Sequence, residues 1–542
     1  MIIKLIENNP KLSIAVIAIL IFALNMDVLE VTIMEARNFI TAREMLTDGN
    51  WLLTTMNGEP RYQKPPLPTW LAAISAFFFG TKSLFAMRLP GFLMVIVLAI
   101  FNYLLSIKLL ENKQQSLING LLTLTSFYVI GIVIEAPWDI FTHGFMLIAI
   151  YHLFQLFGKA NNFWKHTLIA GICIGLSIMC KGPVSIYALL FPFLIAYGLV
   201  YKYQHFKAKW FSVFSVLLIA LALGGWWYLY VRFADSETFL AITKKETGNW
   251  SSYNVRPFYY YWGFFTQSGL WTIPAFISLL YPYLKTRVSN LKAYKFTLLW
   301  TLLAVVLLSI IPEKKSRYLM PVLIPLALNI GFYIEYLIRR FKDLSDKRET
   351  IPVYFNFGLI SLIGIAFPIV GYLLLKDTMT SGWLQFSIAA IVLFNIGMLS
   401  FRTLIKKQIK NAFYLCIALM VAVFLFVVPI TTHLKQESYQ PINALQTELG
   451  QKNIELFCIG DPSPEIIWNY GGNIKSIDTD ASLNESSTLN IIIQTEQKEA
   501  IKKFEDNYNI QFITTYSLNT VSEGTRGYKN RLSYNYYKLT RK

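Results

Sequence analysis

Charged side chains concentrate in residues 30–85, directly after the first apolar run, and Lys64 has the clearest chemical setting among them. It precedes Pro65 and Pro66, which fix φ and lack backbone donors, so the lysine is carried on a stiff, extended segment. A rigidly held ammonium at a membrane surface suits the phosphate of a lipid headgroup. The same ammonium can instead anchor the next helix at the interface, and both roles stay open here.

The stretch EARNFITAREML within this loop has helical periodicity, with Ala36, Phe39 and Ile40 on one face. We expect this helix to lie along the membrane surface. At about 100° per residue, Arg43 falls in the middle of the apolar face, so its guanidinium must reach outward or find a partner. Two interpretations follow: a structural ion pair with an acid, or a supporting contact to an anionic ligand.

Two carboxylates, Glu35 and Asp139, stand at the ends of predicted membrane spans. A carboxylate there can act as a general base toward an acceptor hydroxyl, or bind a cation or an amine. Each can also cap a helix N-terminus, Asp139 in particular because it follows Pro137. His143 lies one turn beyond Asp139, and we interpret it as a packed side chain, since no second His or Cys completes a metal set.

Further bases are predicted to face the same compartment as residues 30–85. They are Lys181, Lys244, Lys245, Arg256, Lys314, Lys315 and Arg317. Singly, each is an ordinary interfacial residue. Together they describe an electropositive cavity with few carboxylates, which fits an anionic lipid-phosphate substrate better than a pathway for cations.

The elements that must position these residues are membrane helices. The chain has 542 residues, of which 55% are hydrophobic and only 15% charged, a composition typical of a polytopic membrane protein. Apolar runs long enough to cross a bilayer recur about thirteen times. We place the spans at 11–29, 86–108, 117–134, 139–157, 165–180, 184–201, 210–230, 263–285, 295–311, 318–338, 352–375, 383–401 and 411–431.

The formal net charge of +17 reflects bases in alternate loops, a pattern that fixes membrane orientation and gives no reason to expect a nucleic-acid partner. With a cytoplasmic N-terminus, these basic loops lie inside, and an odd number of spans puts residues 30–85 and the C-terminus outside. The first apolar run has no small-residue cleavage site, so we expect a retained span. The four cysteines show neither a disulfide framework nor a metal-binding spacing.

The chain divides into a membrane body, residues 1–435, and a polar C-terminal part, residues 436–542. In the latter, NIELFCIG, LNIIIQT, NIQFITTYSL and LSYNYYKL are typical of strands, and TEQKEAIKKFEDNY of a helix. GDPSP is a turn leading into a helix around Ile466 and Trp468. We therefore expect a small extracytoplasmic α/β domain.

Several of these motifs together resemble a known family. EARNFITAREML, GNWLLTTMNGEPRYQKPPLPTWL and AMRLPG are similar, in order and spacing, to the first extracytoplasmic loop of bacterial lipid A aminoarabinose transferases. APWD, CKGP and KSRYLMPVLIPLAL stand where those proteins have their own Asp, Lys-Gly-Pro and Tyr-Pro signatures. The wider group is the GT-C superfamily of polyprenyl-phosphate-sugar-dependent glycosyltransferases, which includes protein O-mannosyltransferases.

The resemblance implies roles by position. Lys64 and Tyr62 would contact the donor phosphate, with Arg61, Lys181, Arg317 and Tyr318 as further contributors. Glu35 and Asp139 would lie beside the transferred sugar. The family's loop begins with adjacent Asp and Glu, whereas Met34 occupies the Asp position here. Glu35 alone, Glu30 or Asp27 are the candidates for replacing that acid.

The resemblance also implies a function: a hexosyl- or pentosyltransferase of the bacterial inner membrane with a periplasmic site. It would move a sugar from a polyprenyl-phosphate carrier to a lipid A-type glycolipid or a protein Ser/Thr. A flippase or transporter for lipid-linked sugars is the alternative, although the chain shows no internal repeat. No cofactor is required by these residues, and a divalent metal is left open.

Overall fold

The computed structural model describes residues 2–127, 129–131, 137–158, 163–203, 206–434, 438–451, 454–477 and 488–542. The predicted α-helical membrane body with a C-terminal sheet region is confirmed by its helices and strands. The predicted boundary between residues 435 and 436 lies outside the described residues.

Helices make up most of residues 2–434. In chain order they are α1 Ile2–Asn8, α2 Pro10–Phe22, α3 Ile33–Thr47, α4 Leu67–Phe79, α5 Leu84–Leu110, α6 Lys113–Thr125, α7 Pro137–Phe157, α8 Phe163–Lys181, α9 Phe191–Tyr201, α10 Phe206–Ala234, α11 Ser236–Ser252, α12 Thr272–Ser278, α13 Tyr281–Leu284, α14 Leu291–Ile310, α15 Met320–Arg340, α16 Lys347–Leu375, α17 Trp383–Ile405 and α18 Ile409–Ala422. Short 3₁₀ or π turns cover Ala23–Asn25, Ile186–Leu190, Phe258–Tyr261, Phe264–Trp271, Ser316–Leu319, Phe341–Asp343, Val423–Val427 and Val428–His433.

Nine helices within the described ranges are long and apolar enough to cross a membrane, or ten if the bent pair α1–α2 counts as one span. The predicted count of about thirteen spans is therefore not reproduced. The segment predicted as a span at 263–285 is broken instead. Gly269, inside the turn Phe264–Trp271, has φ +64 and leaves the helical conformation, and only the short helices α12 and α13 follow. The segment at 184–201 begins as a π turn and continues as the short helix α9.

The C-terminal region is a five-stranded mixed sheet with short helices. Its strands are β3 Leu456–Ile459, β4 Lys475–Ile477, β5 Thr488–Gln494, β6 Tyr508–Ser517 and β7 Ser533–Arg541, in the order β4-β3-β5-β7-β6. Strand β3 runs parallel to β4 and β5, and β7 runs antiparallel to β5 and β6. The helices are α19 Asn443–Gln451 and α20 Pro464–Tyr470, with a 3₁₀ helix at Thr495–Phe504 where a helix was predicted. A further 3₁₀ turn covers Asn530–Leu532.

Strand β5 is buried on both faces. Ile492 packs with α19 and α20 on one side, whereas Ile491 and Ile493 pack with the 3₁₀ helix on the other. This explains why the strand is a continuous apolar run and not an alternating one.

The helix of the first loop, α3, contributes to that same core. Ile40 is fully buried among the side chains of α19, α20 and β3, and the Phe39 ring lies edge-on to Trp468, with centroids 5.2 Å apart. The C-terminal region therefore lies at the end of the helix bundle that carries the first loop.

Candidate active site

The first loop places Lys64 by means of a tight hairpin and two prolines. Strands β1 Thr55–Met56 and β2 Glu59–Pro60 are joined by Asn57 and Gly58, which have φ +60 and +80. Asn-Gly favours this two-residue turn because both positions need a positive φ. The chain then returns through Pro65 and Pro66 to the start of α4, so Lys64 is held between two fixed elements.

Lys64 and Arg61 both lie over the ring of Trp138. The Lys64 Nζ is 4.6 Å and the Arg61 Cζ 5.1 Å from the ring centroid. Trp138 is 2% exposed and stands at the start of α7. Arg61 also donates to the Arg37 carbonyl and, at 2.7 Å, to Thr41 Oγ1. The Lys64 ammonium, in contrast, makes no hydrogen bond or ion pair with the described residues, so its donors are free.

Burial and neighbouring positive charges disfavour the protonated forms of both side chains. Burial, followed by the charge of Lys181, lowers the pKa of Lys64 to about 7; Asp139 opposes the shift, and Arg61 and Arg317 add to it. Burial lowers the pKa of Arg61 to about 9, with Arg37 adding to the effect and Glu44 opposing it. An anion placed here would relieve this accumulation of positive charge.

Asp139 and Lys181 form an ion pair that joins the ends of two antiparallel helices. Asp139 lies in the first turn of α7 and Lys181 is the last residue of α8, and the two side chains are in direct contact. Asp139 is therefore not a free cap. Gly182 ends α8 with φ +69, and a Cβ there would lie 2.9 Å from the Tyr228 hydroxyl, so the sharp exit after Lys181 favours glycine.

The turn before α15 brings Tyr318 and Arg317 to the same group. Lys181 Nζ lies 4.9 Å from the Tyr318 ring centroid. The Tyr318 hydroxyl donates to Glu313, 3.2 Å away, and the Tyr261 hydroxyl bonds both the N–H and the carbonyl of Lys315, which fixes the turn. Arg317 is half-buried and has no ion pair with any described residue. The positive charge of Arg317 also lowers the pKa of Lys64.

The Tyr62 hydroxyl has a partner within the protein, and its contact with the donor phosphate stays a prediction. The hydroxyl donates to Asp235, 3.0 Å away, at the start of α11, and the ring packs against Met179, Trp227 and Val231. Burial and the hydrogen bond to Asp235 raise the pKa of Tyr62 to about 12. The hydroxyl is thus engaged away from Lys64.

Glu35 lies in a buried ion pair with Arg88 and makes no contact with the Lys64 group. Arg88 Nε is 2.8 Å from Oε1, and the remaining oxygen accepts from Arg88 Nη2 at 3.1 Å. Glu35 and Thr32 also form a capping box at the start of α3. Burial raises the pKa of Glu35, while Arg88 and Thr32 oppose this effect. Because both carboxylate oxygens are bonded to the guanidinium, Glu35 is not a free base here.

The other acids considered for the Met34 position lie outside this pair. Met34 is half-buried in the first turn of α3. Glu30 gives its backbone carbonyl to Arg88 at 3.3 Å, and its exposed side chain forms no ion pair within the described chain. Asp27 is likewise exposed and unpaired in the part that the structure covers.

Arg43 points to the C-terminal region. Its guanidinium donates to the carbonyls of Ile467 at 3.5 Å and Gly472 at 3.2 Å. Asn57 supports the same contact, because its side chain bonds both the carbonyl and the N–H of Ile474, at 2.7 and 2.8 Å. Arg43 therefore docks the loop onto this region, and its hydrogen-bond partners among the described residues are backbone carbonyls rather than an acid.

No group of three or more His, Cys, Asp or Glu side chains in the described ranges is arranged to hold a metal ion. His143 is buried on α7, and its Nδ1 has no hydrogen-bond partner among the residues described. The site therefore consists of cations, aromatic rings and the Asp139 carboxylate.

Two residues of this arrangement, Trp138 and Arg88, were missed as functional candidates. Both stand in motifs that drew attention for other reasons, APWD and AMRLPG. Arg88 carried a usable signal, since an arginine in the first turns of an apolar span needs a buried partner. Trp138 had no such signal, because a tryptophan at a span end is common at membrane interfaces.

Comparisons with known proteins find related sequences and a related fold. A family described as dolichyl-phosphate-mannose-protein mannosyltransferase matches residues 63–228. An uncharacterized protein of Aquifex aeolicus is 26% identical over 353 residues, which are 62% of this chain and 66% of that protein. An undecaprenyl phosphate-alpha-4-amino-4-deoxy-L-arabinose arabinosyl transferase of Proteus mirabilis is 24% identical over 359 residues, 61% of this chain and 60% of its own. The chain thus matches less than two thirds of these relatives' length.

The solved structure of ArnT from Cupriavidus metallidurans superimposes on nearly the whole chain. The apo state has a TM-score of 0.72 and the state bound to undecaprenyl phosphate 0.71, each at 13% identity and covering 97% of both chains. The chain has the fold of this protein and resembles the GT-C glycosyltransferases. With its apolar helices, it is a multi-pass membrane protein. The family match includes Lys64, Asp139 and Lys181, whereas Glu35 precedes it and Arg317 follows it.

Proposed function

We propose that the protein is a glycosyltransferase that moves a sugar from a polyprenyl-phosphate carrier to an acceptor on a glycolipid or a protein. The observation that carries this proposal is Lys64, a rigidly held ammonium that has no ion pair among the described residues and lies beside Arg61, Lys181 and Arg317. Such a cluster is a receptor for a phosphate group. The similarity to the Proteus transferase and the fold of a protein solved with undecaprenyl phosphate support a lipid-linked phosphate as its ligand.

The cluster would act on the leaving group. In the reaction, an acceptor oxygen forms a bond to the anomeric carbon while the bond from that carbon to the phosphate oxygen breaks. The bonding electron pair leaves with the phosphate, which changes from a diester with one negative charge to a monoester with a second. Lys64, Arg61 and Lys181 would stabilise this additional charge in a site shielded from water.

Asp139 would serve the acceptor. When the acceptor is an alcohol, its proton must leave, and Asp139 is the carboxylate that contacts the cation group directly. Contact with the donor phosphate would draw Lys181 away from Asp139 and leave the carboxylate free to accept the proton. When the acceptor is a phosphate, already an anion near neutral pH, no base is needed.

The remaining residues would hold this arrangement in place. Arg317 and Tyr318 would close the side formed by the turn before α15, where Tyr318 contacts Lys181. Tyr62 would fix the hairpin through Asp235 and leave the phosphate to Lys64. Glu35 would act through Arg88, which bonds the carbonyls of Met26 and Glu30 and so ties the loop to α5.

The active end would face away from the cytoplasm. Basic side chains concentrate at the opposite ends of the same helices, as positive charge does on the inner side of bilayer proteins: Lys108, Lys165, Lys209, Arg339, Arg340, Lys406 and Lys407. The C-terminal region, proposed as an α/β domain from about residue 436, packs on α3 and would share the outer side. In a bacterial cell the site would then lie at the periplasmic face of the inner membrane.

The proposal is tested by measuring product formation in detergent, where there is no second compartment into which a lipid could be transported. Purified protein in detergent is given undecaprenyl-phosphate-linked pentose or hexose donors, with a lipid A-type glycolipid or a Ser/Thr peptide as acceptor. We expect a new glycosidic product and release of undecaprenyl phosphate in equal amounts. A flippase would yield no product in detergent, and its only activity would be donor movement across proteoliposome membranes.

A further inference from the structure

Trp138 differs from the three fully buried tryptophans of the described chain. The indole N–H groups of Trp227, Trp271 and Trp300 donate to Leu52, Thr125 and Leu189, at 2.9, 2.9 and 3.1 Å. Trp138 is 2% exposed, yet its N–H donates to no described residue. The Nε1 atom is not one of the buried unpaired polar atoms of the described chain, so the N–H reaches accessible space and can donate to a molecule bound beside the ring.

The ring of Trp138 holds two positive charges that repel each other. Lys64 and Arg61 lie 4.6 and 5.1 Å from its centroid, and the charge of Arg61 is among those that disfavour protonation of Lys64. The negative face of an indole attracts cations, by about 0.5–2 kcal/mol each, and so opposes this repulsion. It does so without neutralising either charge, which a carboxylate in the same place would do.

The position of Trp138 also separates it from the neighbouring ion pair. Asp139 is the next residue of α7 and engages Lys181, so successive positions of one helix turn organise different cations. The Lys181 ammonium is engaged by the Asp139 carboxylate. The Trp138 ring, in contrast, leaves the N–H donors of Lys64 available to a ligand.

Resting on the proposed function, we propose that Trp138 is a positioning residue that holds Lys64 and Arg61 together as one receptor for the donor phosphate. Its unpartnered N–H is available as a further donor to the bound phosphate or sugar. The ring thus helps to preorganise the anion site before the ligand binds, because it stabilises two cations that lack an anionic partner and leaves their N–H donors available.

A double-mutant cycle on binding of undecaprenyl phosphate to the purified full-length protein in detergent tests this role. The variants are Trp138→Leu, Trp138→Phe, Lys64→Met and Trp138→Leu/Lys64→Met. We expect Trp138→Leu to weaken binding about tenfold, and Trp138→Phe, which keeps a ring, to weaken it less. In the Lys64→Met background, Trp138→Leu should have less than half of its effect on the logarithm of the dissociation constant, because the ring then has only Arg61 to position.

Trp300→Leu is the matched control. It removes a fully buried indole whose N–H is paired and which contacts none of the cations, so it should reduce thermal stability and leave the dissociation constant unchanged. Equal effects of Trp138→Leu in the wild-type and Lys64→Met backgrounds would show a purely structural role and overturn the inference alone. Wild-type protein that fails to bind undecaprenyl phosphate would overturn the proposed function and this inference with it.

Discussion

Glu35 and Arg88, 53 residues apart in the chain, form a two-point ion pair in which neither side chain is appreciably exposed. Arg88 also bonds backbone carbonyls at the entrance of the first loop, so one guanidinium fixes both ends of the segment before α3. The two carboxylates therefore lie in different surroundings. Glu35 is paired with Arg88 at the start of the loop that carries Lys64, whereas Asp139 contacts Lys181 within the group of cations.

Glu35→Ala should destabilise the protein by about 3–5 kcal/mol, because it leaves Arg88 buried and unpaired. The double variant Glu35→Leu/Arg88→Leu should recover much of this loss, since it removes both charges. Thermal unfolding in detergent measures both effects. Equal destabilisation by the single and double variants would show that the ion pair is not the reason Glu35 matters.

Asp139→Asn should lower the turnover with an alcohol acceptor by about a hundredfold or more, as expected for loss of a general base. With a phosphate acceptor the loss should be much smaller, because no proton has to be removed. Turnover measured with both acceptor classes decides this, with Glu59→Gln as a control for removal of an exposed carboxylate in the first loop. A large, equal loss with both acceptors would assign Asp139 to holding Lys181.

Binding of undecaprenyl phosphate should weaken as pH rises above about 7. The pKa of Lys64 is lowered to about 7 by burial and Lys181, so below that pH the ammonium is ready, and above it binding must include uptake of a proton. The dissociation constant should therefore rise by about tenfold per pH unit until the pKa of Lys64 in the complex is reached. Lys64→Arg, which stays charged, should flatten the profile between pH 7 and 9. A flat wild-type profile would contradict the role given to the Lys64 charge.

Arg43→Met should loosen the C-terminal region without abolishing transfer. It removes the donors to Ile467 and Gly472, and amide hydrogen exchange in residues 464–477 should become faster. Lys475→Met, which removes only an exposed ion pair with Glu455, serves as the control and should leave exchange in α20 unchanged. Complete loss of transfer by folded Arg43→Met would instead point to a direct role at the ligand.

The sequence allowed prediction of what depends on local pattern. The helix α3 and the strands β3, β5, β6 and β7 follow from short-range signals such as helical periodicity and the apolar run at Ile491–Ile493. Placing Lys64, Asp139 and Lys181 on one side of the membrane also followed from the predicted spans. Asp139 and Lys181 border apolar runs, and Lys64 lies in the loop after the first run. Their mutual contacts are found only in the structure.

The sequence does not reveal contacts between residues that are far apart in the chain. Tyr62 has its hydroxyl engaged by Asp235, 173 residues away, and Arg43 by backbone carbonyls more than 400 residues away. Residue spacing within a short motif cannot predict contacts over such distances in the chain. The broken segment 263–285 is apolar enough for a span, but hydrophobicity does not reveal that Gly269 leaves the helical conformation.

The central claim is that Lys64 binds and activates the donor phosphate, and one measurement tests it most directly: the transfer rate of purified Lys64→Ala in detergent with an undecaprenyl-phosphate-linked sugar. Lys82→Ala is the control, because Lys82 is an exposed lysine near the same loop. We predict that folded Lys64→Ala loses transfer by about a hundredfold or more, and that Lys82→Ala keeps the wild-type rate. A wild-type rate in folded Lys64→Ala would contradict the account.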